Sequence, residues 1–298
     1  MKIDLHSHST CSDGTLSPQE LVSLAKEMGI EVFALTDHDT VAGVDLARQT
    51  ADMLGIRLIH GVEISCEHAL SGGYGKNQHA HKIIHVVALN FCDRNKMSEA
   101  LKAVQDSRES RGRLMVQKLS EILVQTLEVD ARNLQEQIWR LVLTKAGDNP
   151  KAVGRAHIAQ VMYECGWVRT VQDAFDKYLA DNKPAYAPIE TLSIAQTIEL
   201  IKACGGVAVL AHPTRYGLSA TRVRKLIADF AMLGGQAVEL PAVSEPTSIR
   251  AMIDRCVAQH GLMVSVGSDF HGSSMPWRKL GQVAVPKEGQ VGVWERFA

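Results

Sequence analysis

The chain has 298 residues, 46% of them hydrophobic, which is enough to bury a large core in one α/β domain or in one domain with an insertion. Its 32 basic and 33 acidic residues nearly balance, which argues against non-specific electrostatic binding of nucleic acid by the whole surface. A local basic groove remains an alternative. No apolar run approaches the roughly 20 residues of a membrane span, and the N-terminus leads directly into a predicted strand, so a cytoplasmic protein is expected. The six cysteines form no CxxC pair, so reduced thiols are expected and a zinc finger is not.

The first predicted strand ends in two histidines that are one residue apart, His6 and His8. Side chains alternate along an extended strand, so both imidazoles lie on the same side and form a two-point clamp for a metal ion. Imidazole nitrogen is a good ligand for zinc, manganese and iron, and the carboxylate of Asp13 can bring in a second ion. Neighbouring histidines are also common without any metal, so the hypothesis depends on ligands elsewhere in the chain.

Helices and strands then alternate, and the buried strands lead to polar residues. A capping box at Ser17-Pro18-Gln19-Glu20 starts the first helix. Apolar strands at 32–35 and 57–64 follow, the first leading to His38 and the second ending in Glu63. This order is typical of a parallel α/β fold, in which functional groups gather at the C-terminal ends of the strands.

Three histidines, His79, His81 and His85, lie close together around the next predicted strand, at 83–89. A glycine-rich segment at 71–76 precedes them and is predicted to be a loop. One or at most two of the three are expected to be metal ligands. His85 is favoured, because it is the one that lies within the strand.

From 93 to 188 the strand pattern stops and long helical patterns take its place. This predicts an inserted helical subdomain at 93–188, between two parts of one α/β domain at 1–92 and 189–298. The insertion begins with a group of basic residues, which are typical of a solvated helix face or can flank an anionic substrate. They are Arg108, Arg111, Arg113 and Lys118.

A second basic group in the insertion points more directly to phosphate. Gly154-Arg155-Ala156-His157 lies at a predicted helix start, where backbone amides and a guanidinium together favour a phosphate. Lys177 and Lys183 follow on the path back to the α/β domain.

The α/β pattern resumes at Ser193 and supplies further ligand-type residues. A buried strand at 207–211 leads to His212, with Arg215 and Tyr216 close behind. A strand at 262–266 leads to Asp269 and His271, and a last strand is expected at 283–285.

There are nine candidate metal ligands, and nearly all of them follow or lie within the predicted strands. They are His6, His8, Asp13, His38, Glu63, His85, His212, Asp269 and His271. Nine ligands exceed the needs of one tetrahedral ion, so two or three ions are expected, with Glu63 and Asp269 as bridging candidates. Mixed imidazole and carboxylate ligands suit manganese, zinc or iron better than magnesium. For any single histidine, the alternative is a core residue bonded to the backbone.

Six short motifs resemble those of the PHP (polymerase and histidinol phosphatase) family of metallophosphoesterases. They are Asp4-Leu5-His6-Ser7-His8, Ser12-Asp13-Gly14, Thr36-Asp37-His38, Gly61-Val62-Glu63, Ala211-His212-Pro213 and Gly267-Ser268-Asp269-Phe270-His271. The resemblance implies an α/β fold, a distorted (β/α)7 barrel with an inserted helical subdomain. It also implies a trinuclear metal site at the C-terminal mouth of the barrel, for which manganese is favoured and zinc or iron are alternatives.

The insertion is similar to that of one PHP branch, which contains the 5′→3′ exoribonucleases of the RNase AM type and the 3′,5′-nucleotide bisphosphate phosphatases. The resemblance implies hydrolysis, by a hydroxide bridging two ions, of a nucleotide bisphosphate such as pAp or of 5′-phosphorylated RNA. The implied substrate-binding residues are Arg155, His157, Lys177, Lys183, Arg215 and Tyr216. The implied catalytic residues are Asp269, His212, His271, Arg155 and His157.

Three other functions remain as alternatives: a small-molecule phosphatase of the histidinol-phosphate type, an amidohydrolase acting on C–N bonds, and a non-enzymatic metal-dependent domain. The basic insertion argues against the first and the Arg/Lys set against the second. The intact ligand set argues against the third. Neither a membrane nor an obligate protein partner is expected, and the sequence leaves the oligomeric state open.

Overall fold

A computed structural model of the chain describes residues 1–71, 79–127, 130–275 and 277–297. The chain forms two compact units, which are named here by their content. The barrel unit holds Met1–Ser9, Gly14–Ala100 and Thr191–Ala298, and the helical unit holds Thr10–Asp13 and Leu101–Glu190.

The strands belong to the barrel unit. They are β1 (Ile3–Asp4), β2 (Val32–Leu35), β3 (Arg57–Ser71), β4 (His79–Leu89), β5 (Leu192–Ser193), β6 (Val207–Leu210), β7 (Ala237–Glu239) and β8 (Met263–Ser265). Seven of them form one sheet in the order β1-β2-β3-β4-β6-β7-β8, and the short β5 pairs with β3.

The α-helices connect these strands or form the insertion. They are α1 (Pro18–Glu27), α2 (Val44–Leu54), α3 (Arg94–Leu127), α4 (Ala131–Lys145), α5 (Arg155–Glu164), α6 (Val171–Ala174), α7 (Ile194–Ala203), α8 (Ala220–Met232) and α9 (Thr247–His260). The predicted capping box of α1 is confirmed: the Ser17 hydroxyl accepts from the Glu20 amide, and the Glu20 carboxylate accepts from the Ser17 amide.

β4 is the exception to the parallel order that the sequence predicts. It runs antiparallel to both β3 and β6, whereas the pairs β1-β2, β2-β3, β6-β7 and β7-β8 are parallel. β3 and β4 follow each other in the chain and pair along their shared length, from Gly61 with Leu89 to Ser71 with His79. Two consecutive strands that pair in this way run antiparallel, whereas a parallel pair needs a longer crossover connection. The predicted loop at 71–76 lies, from residue 72 onward, outside the described residues.

The sheet curls back on itself, because the segment after β1 also bonds to the segment after β8. The Leu5 amide donates to the Val266 carbonyl at 2.9 Å, and the Asp269 amide donates to the His6 carbonyl at 2.8 Å. The approach is so close that a Cβ added to Gly267 would lie 2.2 Å from the Cβ of His6. The predicted fold class, a distorted α/β barrel, is confirmed.

A core of apolar side chains anchors β2, from which the chain continues to His38. Phe33 of this strand packs with Leu21 and Ala25 of α1 and with Ala47 of α2, and all four are fully buried. Full burial of a leucine or phenylalanine side chain contributes roughly 1.5–3 kcal/mol, so this packing fixes the strand firmly.

The helical unit has an apolar core of its own. Leu119 of α3, Ile138 of α4 and Met162 of α5 are fully buried in it. α6 is followed directly by a π-helical turn at Phe175–Leu179. Among the described helices, none combines the length and the apolar character needed to cross a membrane.

The strand predicted at 283–285 is wrong, since these residues have no regular structure. Val285 is 78% exposed, so the segment lacks the continuous buried face of a strand. Val264 of β8 instead donates its amide to the Val291 carbonyl at 2.9 Å and forms an isolated bridge with Gly292.

Candidate metal centre

Eight of the nine predicted metal ligands lie in the barrel unit, and the fold brings them together. His6 and His8 follow β1, His38 follows β2, Glu63 lies in β3, His85 lies in β4, His212 follows β6, and Asp269 and His271 follow β8. Six of the eight are buried, and His38 and His85 are partly buried. Most of these side chains follow the ends of strands, as predicted, but Glu63 does not: β3 continues past the predicted end of its strand to Ser71, because it stays paired with β4.

Glu63 lies at the centre of this cluster, and its side chain is fully buried. Its Oε1 lies 2.8 Å from Nδ1 of His85 and 2.8 Å from Nε2 of His212. Its Oε2 lies 3.0 Å from Nδ1 of His38 and 3.3 Å from Nε2 of His8. A carboxylate that faces two imidazoles with each oxygen is suited to bridging two metal ions.

The two carboxylate oxygens of Asp269 have different neighbours. Its Oδ1 faces imidazoles, 3.2 Å from Nε2 of His8 and 3.5 Å from Nε2 of His6. Its Oδ2 accepts from Nη1 of Arg215 at 2.6 Å and also contacts Nη1 of Arg278. One oxygen is therefore directed to the metal-binding side, and the other is held in place by two guanidinium groups.

The geometry of these donor atoms fits divalent ions. Ligand atoms lie within 4.8 Å of one another in three sets: His6, His8, Glu63 and Asp269; His38, Glu63 and His85; and His8, His38 and His271. Within the described part of the chain, Nε2 of His6 and Oε2 of Glu63 are buried and have no hydrogen-bond partner. Buried polar atoms are seldom left in this state, so bound cations are their natural partners.

Burial and charge act in opposite directions on the two carboxylates. Burial raises the pKa of the Glu63 carboxyl, but the nearby charges of His85 and His38 hold that pKa well below its ordinary value. Burial likewise raises the pKa of Asp269, and His6 and His271 lower it well below the usual range. Both side chains are therefore anionic, which is the form that binds a metal.

His8 is held in the neutral form. Burial, followed by the charge of His271, lowers the pKa of His8 to about 3. The two rings are stacked, with their centres 4.1 Å apart. Only a neutral imidazole has a lone pair for a metal ion, so His8 needs to release no proton on binding.

Glu239, at the end of β7, was not among the predicted site residues. Its Oε2 lies 2.6 Å from Nδ1 of His6, and its side chain is buried. A histidine whose Nδ1–H is bound in this way presents Nε2 to a metal. The signal for Glu239 in the sequence is its position at the end of a short apolar strand, where the other ligand-type residues also gather.

Among the three histidines near β4, His85 is the one that joins the cluster. His81 instead places Nδ1 2.9 Å from Oε1 of Glu67, and 63% of its side chain is exposed. The side chain of His79 lies outside the described part of the structure. This placement supports His85 as the ligand.

Asp13, the ninth predicted ligand, belongs to the helical unit. Its Oδ2 lies 3.9 Å from the position that a Cβ on Gly154 would occupy, beside the start of α5. Its role as a metal ligand stays a prediction.

Tyr216, a predicted substrate-binding residue, contacts the backbone of the metal-binding segments. Its hydroxyl accepts from the His85 amide at 2.8 Å and donates to the Ala211 carbonyl at 3.0 Å. The phenol thereby positions His85 and the residue next to His212. Its contact with substrate stays a prediction, as does that of Arg215, which bonds to Asp269.

In the helical unit, Arg155 and His157 lie at the start of α5 as predicted. Nη1 of Arg155 lies 3.2 Å from Oδ1 of Asp181. The His157 side chain is buried, and its Nδ1 accepts from the Gly154 amide at 3.1 Å. The proton of the neutral ring is therefore on Nε2.

The two predicted lysines of the helical unit lie farther along the chain. Nζ of Lys177 lies 3.5 Å from Oδ1 of Asp173, one helical turn away, and 54% of the side chain is exposed. Lys183 is exposed in a turn, where its amide bonds to the Ala180 carbonyl. Their substrate-binding roles stay predictions.

Two site residues have a backbone conformation that side chains other than glycine rarely adopt. The φ angle is +26° at His212 and +53° at Asp269. Such conformations cost of order 1–3 kcal/mol each and persist where surrounding contacts hold them. Both residues follow buried strands, whose packing holds the turn that aims each side chain into the cluster.

Comparison with known proteins identifies the family of the chain. The family model of the PHP domain matches residues 4–116. A 5′-3′ exoribonuclease of Haemophilus influenzae is 38% identical over 302 residues, covering 99% of both chains. A 3′,5′-nucleoside bisphosphate phosphatase of Chromobacterium violaceum is 31% identical over 280 residues, covering 94% of this chain and 90% of that protein.

Among solved structures, an amidohydrolase from Chromobacterium violaceum with bound sulfate is similar, with a TM-score of 0.82 and 29% sequence identity. The match covers 100% of this chain and 96% of the other. The similarity therefore extends over the barrel and the helical insertion alike. The chain belongs to the PHP family, in the branch that contains the 5′-3′ exoribonucleases and the 3′,5′-nucleoside bisphosphate phosphatases.

Proposed function

We propose that this protein is a metal-dependent phosphoesterase that hydrolyses phosphate esters of nucleotides. Its substrate is a 3′,5′-nucleotide bisphosphate such as pAp, the 5′-phosphorylated end of RNA, or both. The observation that carries the proposal is the convergence of buried imidazoles and carboxylates around Glu63. The names of the relatives support the substrate class, since one is an exoribonuclease and the other a bisphosphate phosphatase.

The ligand set favours two or three divalent ions, with manganese preferred and zinc or iron as alternatives. Glu63 and Asp269 are the bridging candidates, because each carboxylate faces more than one imidazole. Bound ions at such a site lower the pKa of water towards neutrality and neutralise charge on a phosphoryl group. Two or three ions would use the imidazoles as terminal ligands.

The protein's own cations would hold the phosphoryl oxygens. The Arg215 guanidinium carries five N–H donors in a fixed plane, and Asp269 holds one of them. This bond fixes the plane, so the outer donors are preorganised for an anionic oxygen. Arg155 and Lys183 of the helical unit are the further predicted contacts to phosphate.

One of the histidines would donate the proton to the leaving oxygen. His157 carries its ring proton on Nε2 and is the candidate outside the metal-ligand set. His212 and His271 are alternatives, to the extent that they are not committed to metal.

The test is a substrate comparison with metal-loaded protein. Release of phosphate or nucleotide is measured with pAp, with short 5′-phosphorylated RNA and with histidinol phosphate, each with and without EDTA. We expect turnover of pAp or RNA that EDTA abolishes. Turnover of histidinol phosphate alone would contradict the nucleotide assignment and favour the small-molecule alternative.

A further inference from the structure

Two cysteines of the barrel unit, Cys92 and Cys204, are in contact although 112 residues separate them in the chain. Cys92 lies in the segment after β4, and Cys204 follows α7 directly. The Cys92 amide donates to the Cys204 carbonyl at 3.0 Å, and the Cys92 thiol donates to the same oxygen at 3.4 Å. The backbone and the side chain of Cys92 therefore both contact Cys204.

The thiol of Cys204 faces the segment that holds Cys92. Burial raises the pKa of the Cys204 thiol, and the nearby charge of Asp93 raises it further. Lys96 and Cys92 also act on this thiol, and both belong to the same segment as Asp93. The residue after Cys204 is Gly205, where an added Cβ would lie 2.9 Å from Sγ of Cys92. The glycine thus leaves room for the sulfur of Cys92 beside Cys204.

The two thiols differ in exposure. Cys92 is exposed, whereas Cys204 is buried with 1% of its surface exposed. The thiolate is the reactive form of cysteine, and burial in apolar surroundings disfavours it. An oxidant from solution therefore reaches Cys92 first, and Cys204 is the neighbouring thiol that can react with the product.

We propose that Cys92 and Cys204 are a site of reversible oxidation, at which a small-molecule disulfide such as oxidised glutathione produces one intramolecular disulfide. The Cys92 thiolate attacks the glutathione disulfide, which forms a mixed disulfide and releases one glutathione. Cys204 then loses its proton, its sulfur attacks Sγ of Cys92, and the second glutathione leaves. Two protein thiols are oxidised, one glutathione disulfide is reduced, and the two glutathione thiolates take up the two protons.

The backbone of the pair fits this bond. Disulfides join residues whose α-carbons are about 4.4–6.8 Å apart. The hydrogen bond between Cys92 and Cys204 has the length of those in sheets, where such partners have α-carbons about 5.5 Å apart. The disulfide therefore requires rotation of the side chains and no large shift of the chain. It closes a loop that contains Leu101–Glu190, the main part of the helical unit, and closing so long a loop restricts the unfolded chain.

The experiment follows the thiols of the full-length protein in buffers that contain different ratios of reduced to oxidised glutathione. The protein is alkylated, digested without reduction and analysed by mass spectrometry. We expect two peptides joined through Cys92 and Cys204. The ratio of reduced to oxidised glutathione at half oxidation should be roughly 100-fold higher for the folded protein than for the protein in urea, because the fold holds the two thiols together.

Two variants separate the two steps, and a third is the matched control. Cys204→Ala should accumulate glutathione on Cys92, because the second thiol is missing. Cys92→Ser, at an exposed position, should leave Cys204 reduced, and this result does not depend on the folding of the first variant. Cys165→Ser removes an exposed cysteine of the helical unit and should form the disulfide between Cys92 and Cys204 as the unmodified protein does.

Absence of the joined peptides at every glutathione ratio would overturn the inference, as would equal half-oxidation ratios for the folded and the unfolded protein. Glutathione that persists on Cys92 of the unmodified protein would also overturn it, because Cys204 would then be out of reach. Cys204 precedes β6, whereas His212 follows it, so the pair lies at the end of this strand away from the candidate metal ligands. Since no step measures hydrolysis, the result is independent of the proposed function.

Discussion

The imidazole of His6 has carboxylates on both of its nitrogens. Nδ1 lies 2.6 Å from Glu239, whereas Nε2 lies 3.4 Å from Glu63 and 3.5 Å from Asp269. Burial lowers the pKa of His6, but the charges of these three carboxylates raise it well above its ordinary value. The short distance identifies the bond that orients the ring, and the longer distances leave space for a metal ion beside Nε2.

Replacing Glu239 should therefore weaken metal binding. Glu239→Gln keeps an acceptor near Nδ1 of His6 but removes the charge, and we expect the affinity for Mn²⁺ to fall roughly 10- to 100-fold. Affinity is measured by competition with a chelating dye. Glu288→Gln, at an exposed position, is the control and should bind as the unmodified protein does. Unchanged affinity in Glu239→Gln would mean that His6 needs no orienting partner.

Replacing Asp269 should affect both metal content and folding. Asp269→Asn loses the anionic ligand and leaves Arg215 and Arg278 without their carboxylate, so we expect loss of activity together with a destabilisation of about 3 kcal/mol. Phosphate release, bound metal and urea unfolding are the measurements. Full activity in an Asp269→Asn protein of verified low metal content would contradict the proposed site.

Site residues that follow a strand can be predicted from the sequence. Site residues that are recognised only by their neighbours from distant segments cannot. His38 and His212 were predicted because each follows an apolar strand that periodicity identifies. Glu239 ends a strand, but nothing in the sequence shows that it meets His6, which is 233 residues away. The burial of Arg108 was equally hidden, because it depends on how the rest of the insertion packs against α3.

At the scale of elements, barrel closure depends on Gly267. A side chain there would meet the Cβ of His6 at 2.2 Å, so Gly267→Ala must displace the segment after β1. We expect destabilisation of about 1–3 kcal/mol and reduced metal affinity. Gly29→Ala is the control, since its φ of +71° causes strain but a Cβ there meets nothing within 4 Å. Urea unfolding and metal binding are measured, and a loss of metal affinity in both variants would refute the steric argument.

α9 is joined to the segment near residue 290 through Asp254. This carboxylate contacts Arg250 at 2.8 Å, Lys287 at 2.7 Å and Gln290 at 2.9 Å. Burial raises the pKa of Asp254, but these partners lower it further than burial raises it. A carboxyl whose pKa is lower in the folded protein contributes stability above its unfolded pKa of about 3.9. That contribution is lost as the pH falls through the folded value.

We therefore expect Asp254→Asn to destabilise the protein by about 1–2 kcal/mol at pH 7, with the difference from the unmodified protein shrinking below about pH 4. Urea unfolding over a series of pH values measures this dependence. Asp52→Asn is the control, because Asp52 is 73% exposed and its pair with Arg48 is 3.9 Å long. A pH-independent difference for Asp254→Asn would show that its charge is not the cause.

Elements whose pattern is local were predicted well, and elements that depend on pairing partners were not. The capping box of α1 is predicted from Ser17 and Glu20 and is present, and α7 begins with a second one at Ser193 and Gln196. β4 was assumed to be parallel, because its apolar residues alone do not reveal the direction of the neighbouring strands. The segment 283–285 is apolar throughout, but it forms no strand, and Val285 is 78% exposed.

At the scale of the whole molecule, the candidate metal ligands connect most of the barrel. They come from the segments of β1, β2, β3, β4, β6 and β8, so bound ions should stabilise the folded chain and not only its activity. A ligand present at 100 times its Kd adds about 2.7 kcal/mol. We expect EDTA to lower the melting temperature and Mn²⁺ to restore it in a concentration-dependent way. Asp269→Asn should show a much smaller shift, and a melting temperature independent of metal would contradict the site.

The closure between the segments after β1 and β8 also orders the events of protein synthesis. His6 is synthesised well before the backbone partners of this segment, because Val266 and Asp269 come much later in the chain. Until then the growing sheet has an open edge, and such edges invite pairing with other chains. Ribosome-bound chains that end before Met263 should therefore aggregate readily and bind little metal, whereas full-length chains should close the edge and acquire the metal site in the same step.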